Sequence, residues 1–291
     1  MKARSGTLWL FIIPGLLLYS LFFIIPAVSS LLLSLTDWDG MTYNFDWVGL
    51  KHYGHLAEDP VFAKALGNNI KFSLTVVICQ FGLSLFFAIL VMKNTKLNVF
   101  YRTVFFFPTV ISSVSIGFTW MFVYDPNIGS LNMLLHSLGL ESLAQSWLGD
   151  PKLAIYSIAF VQFWGHTGQV MIIFIAGLQA IPKDLYEVAN IEGASKWNTF
   201  RYVTWPLLAP SATIVLAYTT IQSFKSFDLV IAMTDGGPNH ASEILSTFMY
   251  HEAFTYFNFG YATAAAVVLM LIIMVVTYSQ FRLLKSDRIV Y

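Results

Sequence analysis

Charge is what this sequence has least of. Of its 291 residues, 11% are Asp, Glu, Lys or Arg, where soluble domains carry about a quarter. With 57% hydrophobic residues and a mean hydropathy of +0.66, the chain has too little polar surface to keep an apolar core in water. Composition alone therefore excludes an ordinary soluble domain and points to a membrane. The 16 basic and 16 acidic side chains cancel, so no bulk charge is available to attract nucleic acid. Cysteine is nearly absent too. Cys79 is alone, can form no intrachain disulfide, and reads as a small buried hydrophobe inside an apolar run. No Gly-x-x-x-x-Gly-Lys-Ser/Thr stretch occurs, so the chain lacks the phosphate cradle needed to hydrolyse ATP itself. No metal or nucleophile constellation stands out either: His52 and His55 are spaced i, i+3 but have no third ligand nearby. Internal repeats, heptad arrays and low-complexity tracts are also missing.

What the chain does have is long apolar runs. Six of them, roughly 8–35, 70–92, 104–124, 153–180, 207–233 and 261–284, reach the roughly 20 residues that a membrane-spanning helix needs. The runs are continuous and do not alternate at period two, which favours helices over a barrel. The fold class read from this pattern is an all-α membrane protein with six transmembrane helices in one domain over residues 1–291. The first run contains Pro14 and Pro26, so its helix is expected to bend and to lie along a partner. The Met-Lys-Ala-Arg start resembles a signal peptide in charge, but the apolar stretch is too long and has no convincing small-residue cleavage site, so it reads as a retained span.

Basic residues set the orientation. Lys2 and Arg4 precede the first run, and Lys93, Lys96 and Arg102 lie between the second and third. Lys183, Lys196 and Arg201 lie between the fourth and fifth, and Arg282, Lys285 and Arg288 follow the last. The alternate connections carry only Lys51, Lys64, Lys71 and Lys152. Both termini and the 183–206 segment are thus expected on the cytoplasmic side. The outer segments, 36–69, 125–152 and 234–260, are rich in aromatics such as Trp38, Trp47 and Trp147. They fit an interfacial aromatic belt, a docking rim for an external protein, or both.

Polar residues within the runs are the informative ones, because at membrane depth they need partners. Gln162, Gly165, His166 and Gln169 recur at i, i+3, i+4 and i+7, on one helical face. Gly165 would allow close approach of a ligand or a neighbouring helix. Thr219, Gln222, Ser223 and Ser226 repeat that spacing in the fifth run, and Lys225 and Asp228 stand i, i+3, where they could pair on one side of a helix. Two readings are open for these faces: hydrogen-bonding glue between helices, or the wall of a solute path. Gln, Ser and His both donate and accept, as the hydroxyls of a neutral polyol require. Trp164, Tyr218 and Phe224 could stack on sugar rings, although Trp164 and Phe224 also read as ordinary packing.

Between the fourth and fifth runs lies a polar island, Glu187 to Pro210, with enough chain for a helix, a break at Gly193 and a second amphipathic piece ending at Pro206. Structure held outside the bilayer in this way suggests a docking surface for a soluble partner. The island resembles the cytoplasmic EAA loop of permease subunits of binding-protein-dependent ABC importers. Glu187, Ala189, Gly193, Ala194, Phe200 and Pro206 stand at the family's spacing, with Val188 replacing the usual second Ala. The resemblance runs over nearly the whole chain: Leu35-Thr36-Asp37-Trp38, Val48-Gly49-Leu50, Arg102-Thr103, Trp147-Leu148-Gly149-Asp150-Pro151, Gly236-Gly237-Pro238 and Phe259-Gly260-Tyr261-Ala262. Together these look like the carbohydrate (maltose, glycerol-phosphate and oligosaccharide) branch.

The resemblance implies a type I importer (MetI-like) permease fold with both termini inside, in the bacterial cytoplasmic (inner) membrane. It implies a non-catalytic subunit that holds no cofactor, ATP and Mg being held by two cytoplasmic ATPase subunits. It further implies a second homologous permease subunit in a heterodimer, an extracytoplasmic solute-binding protein and a carbohydrate substrate. In maltose-type relatives the positions matching Gln162, Gly165, His166 and Gln169 line the sugar site, and the face of Thr219, Gln222, Ser223 and Ser226 matches a sugar-contacting stretch. Two rivals remain. A stand-alone secondary transporter needs ion-coupling groups at depth, for which only His166, Lys225 and Asp228 are available, and it leaves the island unexplained. A membrane-embedded enzyme would need clustered acids, histidines or a nucleophile.

Overall fold

The computed structural model describes residues 5–42 and 44–284; Lys2, Arg4, Lys285 and Arg288, counted above toward orientation, lie outside the described residues. The described chain is almost entirely helical, its only β feature being an isolated bridge between Thr36 and Trp47. Among the described residues, five helices are long and apolar enough to cross a membrane, six if a bent pair counts as one span. The residues fall into two compact units, 1–63 with 248–271 and 64–247 with 272–291.

In the smaller unit, helix α1 covers residues 5–33 with a single π turn at Ser20–Ile24. Pro26 lacks the N–H that the helix ladder expects. The π turn, closed by Ile25 N–H donating to Ser20 O, widens the helix just before the ring. No residue from Ile12 to Leu33 is buried by the rest of the described chain. After α1, His52 Nε2 meets Thr36 O at 2.8 Å, and Gly260 N–H donates to Trp38 O at 2.9 Å. Asp59 caps the next helix, accepting from Val61 and Phe62 N–H, while its second oxygen accepts the Tyr261 hydroxyl at 2.7 Å.

Further helices are α2 (Pro60–Val91), α3 (Lys96–Val110), α4 (Ser113–Val123), α5 (Ala154–Gln179), α6 (Lys183–Ile191), α7 (Lys196–Phe224), α8 (Asp228–Thr234) and α9 (Phe259–Leu283). In the larger unit α5 is central, packing against α3, α4, α7 and α8. Its small residues make this possible, as is usual where helices meet without a hydrophobic driving force. A Cβ on Gly168 would lie 1.9 Å from the Phe105 carbonyl oxygen. Thr109 donates to Gly165 O at 2.9 Å, and Ser84 to Thr167 O at 3.0 Å. Arg102 closes the end of α2, its guanidinium donating to the Val91 and Met92 carbonyls. That supplies the acceptors left open by a helix C-terminus with a cation that the helix dipole favours.

Three of the six apolar runs differ from the hydropathy reading. The 104–124 run is two helices bent by 96°, with extended backbone at Ile111 and Ser112. From Thr109 to Ser115 every residue is β-branched or carries a hydroxyl, the types that hold a helix least well. The fifth helix starts at Lys196 instead of 207 and ends at Phe224 instead of 233. It passes through Pro206 on a second π turn, Phe200–Thr204, closed by Trp205 N–H donating to Phe200 O, so Pro206 does not end it. The second helix begins at Pro60, ten residues before its apolar run, because Asp59 caps it and Pro60 suits a first helical turn.

Matched glycine substitutions test the packing of α5. Gly168→Ala should lower stability by about 1–3 kcal/mol or more through overpacking against the α3 backbone. Gly165→Ala should cost much less, since its Cβ would meet only Ile116 Cδ1, at 3.6 Å. Thermal unfolding of the two variants in detergent reads the difference; equal midpoints would contradict the close α3–α5 approach.

Candidate functional site

A polar cavity of about 210 Å³ lies beside α5 in the larger unit. It is lined by Gln162 and His166 from α5, Gln222 from α7, and Lys225, Ser226 and Asp228 around the break after α7. Ser113, the first residue of α4, also lines it. The cavity thus forms where two helices are interrupted, at 111–112 and at 225–227. Non-helical backbone at membrane depth is tolerated where it is buried in protein or lines a cavity.

Gln162 and His166, one turn apart, are half-buried. His166 Nδ1 sits 3.0 Å from the Gln162 carbonyl oxygen. That oxygen can only accept, so Nδ1 carries the hydrogen, and in the neutral ring Nε2 is an acceptor. Gln222 donates through Nε2 to the Tyr218 hydroxyl at 3.3 Å. Lys225 ends α7, its N–H donating to Ile221 O at 3.2 Å, and Ser226 O accepts the Ser246 hydroxyl. Lys225 and Asp228 form no ion pair, although their spacing suggested one. The helix on which i, i+3 would bring them together stops between them, and both are exposed.

Of the eight polar-face residues, the cavity takes in Gln162, His166, Gln222 and Ser226. Gly165 is buried. Gln169, half-buried, lies a turn further along α5, off the cavity wall. Thr219 and Ser223 are 1% and 0% exposed, and Ser223 donates to Thr220 O at 2.9 Å. An i, i+3, i+4, i+7 face is wide enough for neighbours to cover one edge while the other stays open, and periodicity cannot say which. Of the aromatics, Trp164 packs edge-on against Trp120 at 5.3 Å and Phe224 is buried. Ser113 was not legible, because the bend that brings it to the cavity was not.

The second feature is α6 with the turn that follows. Gly193 N–H donates to Asn190 O at 3.1 Å and Ala194 N–H to Ala189 O at 2.9 Å, with Gly193 at φ +73°. These are the paired bonds of a Schellman turn. Ser195 Oγ then accepts from Asn198 N–H at 3.2 Å, starting α7. The sequence suggested a break at Gly193. The break is present, and a Cβ there would meet nothing within 4 Å, so the positive φ alone requires glycine. Glu187 is exposed, Ala189 is buried, and Ala194 and Phe200 are half-buried. Phe200, in the π turn, stacks on Trp197, and Pro206 is exposed two residues after that turn. Sequence reasoning passed over the apolar side chains that α6 and its surroundings expose: Val188 at 55%, Ile191 at 83% and Trp197 at 65%. The signal was present in the apolar residues on both faces of α6, of which only one face can turn inward.

Residues 80–288 match the family described as binding-protein-dependent transport system inner membrane component. The chain is 38% identical over 282 residues to a probable ABC transporter permease protein, YurN, of Bacillus subtilis (strain 168), covering 96% of both. It is 36% identical over 281 residues to the multiple sugar-binding transport system permease protein MsmF of Streptococcus mutans, covering 96% of this chain and 95% of the relative. Its fold is similar to that of a chain in the crystal structure of a bacterial ABC transporter involved in the import of the acidic polysaccharide alginate. The TM-score is 0.83 at 20% identity, over 99% of this chain and 97% of the other.

The Schellman turn makes a graded prediction. Gly193→Asn, which tolerates the left-handed region, should leave α6 intact. Gly193→Val should cost about 1–2 kcal/mol locally and speed hydrogen exchange of the α6 amides. Equal exchange in the two variants would show that φ at this position is not the constraint.

Proposed function

The chain belongs to the family of binding-protein-dependent transport system inner membrane components, and from there we propose that it forms half of the translocation path of an ATP-driven importer for a carbohydrate, an oligosaccharide. The observation that carries the substrate class is the convergence of Gln162, His166, Gln222 and Ser226 on one polar cavity. Two carboxamides, a hydroxyl and an imidazole acceptor match the donor and acceptor groups of sugar hydroxyls. Lys225 and Asp228 bring one charge of each sign to the rim, leaving the cavity formally neutral. MsmF, named for multiple sugar binding, supports the same class.

A second, homologous permease subunit supplies the other half of the path. The uncovered apolar surface of α1 supports a partner lying along it. Two ATPase subunits on the cytoplasmic side hold ATP and Mg²⁺, and an external binding protein delivers the sugar. The exposed edge of α6 is the ATPase contact, with Glu187 near the helix start and Val188 and Ile191 as its apolar part. ATP-driven closure of the ATPases moves α6, and α7 carries that movement to the cavity wall at Gln222. Transport is then a switch between inward and outward access, biased by contacts that differ between the two states.

Purification through a tag on this chain should recover a second permease and an ATPase. In proteoliposomes carrying the binding protein, uptake should require ATP and no ion gradient. Uptake driven by a proton or sodium gradient without the ATPase would overturn the reading in favour of a secondary transporter. Within that assay, Gln162→Leu and Gln222→Leu should each weaken uptake by about 0.5–1.5 kcal/mol, the worth of one neutral hydrogen bond, with assembly intact. Ser223→Leu should instead reduce folded protein, because the site is closed. Normal uptake by both Gln variants would move the path elsewhere.

A further inference from the structure

The permease reading leaves open how α6 passes its movement to α7. Only two α6 side chains are turned away from solvent: Ala189, buried, and Tyr186, half-buried. The Tyr186 hydroxyl lies 3.2 Å from Thr204 Oγ1, the last residue of the π turn in α7. Thr204 is 6% exposed and its own hydroxyl is directed to the Thr199 carbonyl at 3.5 Å. Either hydroxyl can donate in this pair; with the Thr204 hydrogen directed to Thr199 O, Tyr186 is the donor. Beside this bond lies a cavity of about 320 Å³, bounded by Asn190 and Lys196 and floored by Met92 and Leu178. Close packing does not fill the space beneath α6, so displacement of that helix could be absorbed there unless something ties α6 to α7.

Resting on the permease reading, we propose that Tyr186 is a positioning residue for energy coupling. Its hydrogen bond to Thr204 locks α6 to the π turn, so that ATPase movement reaches α7 instead of being taken up by the cavity. Ala189 supplies contact but no direction, because an alanine methyl can slide along its neighbours. The Tyr–Thr bond fixes both rotation and height of α6 at a widened turn, the type of helix irregularity that recurs at functional sites.

The test uses the assembled importer in proteoliposomes and reads sugar transported per ATP hydrolysed. Tyr186→Phe and Thr204→Val each remove the bond with little change of volume, and Thr204→Ser keeps it. We expect each of the first two to lower the transport-to-ATP ratio by about two- to twelvefold, the span of a single neutral hydrogen bond, with assembly and ATP turnover retained. The double variant should be no worse than either single one, as for two partners of one interaction, and Thr204→Ser should restore the ratio. An unchanged ratio in both single variants overturns the proposal. So does additivity in the double variant, or a parallel fall of transport, turnover and assembly. If the unmodified complex shows no ATP-linked uptake, the permease reading itself has failed; if it couples normally and the variants do too, only the role of Tyr186 has.

Discussion

The backbone hydrogen-bond ladder of α7 is the constraint on which the rest depends. The helix starts at Lys196, capped by Ser195 directly after the Schellman turn that ends α6, and runs on to Phe224, passing the cavity at Gln222. At 1.5 Å per residue its 29 residues give a rod about 43 Å long. One element therefore has α6 and its turn at one end and the polar cavity at the other. A break at Pro206 would have separated them. The π turn at Phe200–Thr204 prevents that break by closing a wider ring just before the proline, and the π turn ahead of Pro26 in α1 solves the same problem in the same way.

Where the ladder does stop, the cavity forms. The interruptions after Val110 and after Phe224 free backbone groups that an apolar environment would penalise. The side chains gathered there are mostly polar, Phe227 and Leu229 being the apolar members of the wall. The same two breaks supply the polar room that the proposed sugar needs. Discontinuous helices serve binding sites in other transporters for this reason. Around the breaks, α5 is continuous and closely packed: Gly168 lets the α3 backbone reach it, and the Gly165 carbonyl accepts the Thr109 hydroxyl.

Much of the fold was legible in the sequence. The number of apolar runs and the helical class follow from composition and continuity, and the family from the spacing of Glu187, Gly193 and Pro206. The α2 start carried a signal, Asp59 followed by Pro60, that the hydropathy reading passed over. What hydropathy could not show was where helices break, since apolar residues stand on both sides of each break, Val110 and Val114 at one and Phe224 and Leu229 at the other. Ser113 was lost with the first break. With the second, Lys225 and Asp228 were assigned a pairing that needs a continuous helix. Thr219 and Ser223 share a face with Gln222, and only the packing of neighbouring helices decides that they are closed off while Gln222 is open. The role of Gly193 was half readable: a glycine at that spacing signals a helix end, but the open space around it is a property of the folded chain.

The central claim is that α6 and α7 move as one body between the docking surface and the cavity. Spin labels at positions 191 and 222, with a second pair at 162 and 222, would test it by distance measurements on the assembled complex without nucleotide and with ATP bound. The account predicts that the 191–222 distance stays constant while the 162–222 distance changes between states. A 191–222 distance that shifts with nucleotide would place a hinge within the rod and contradict it.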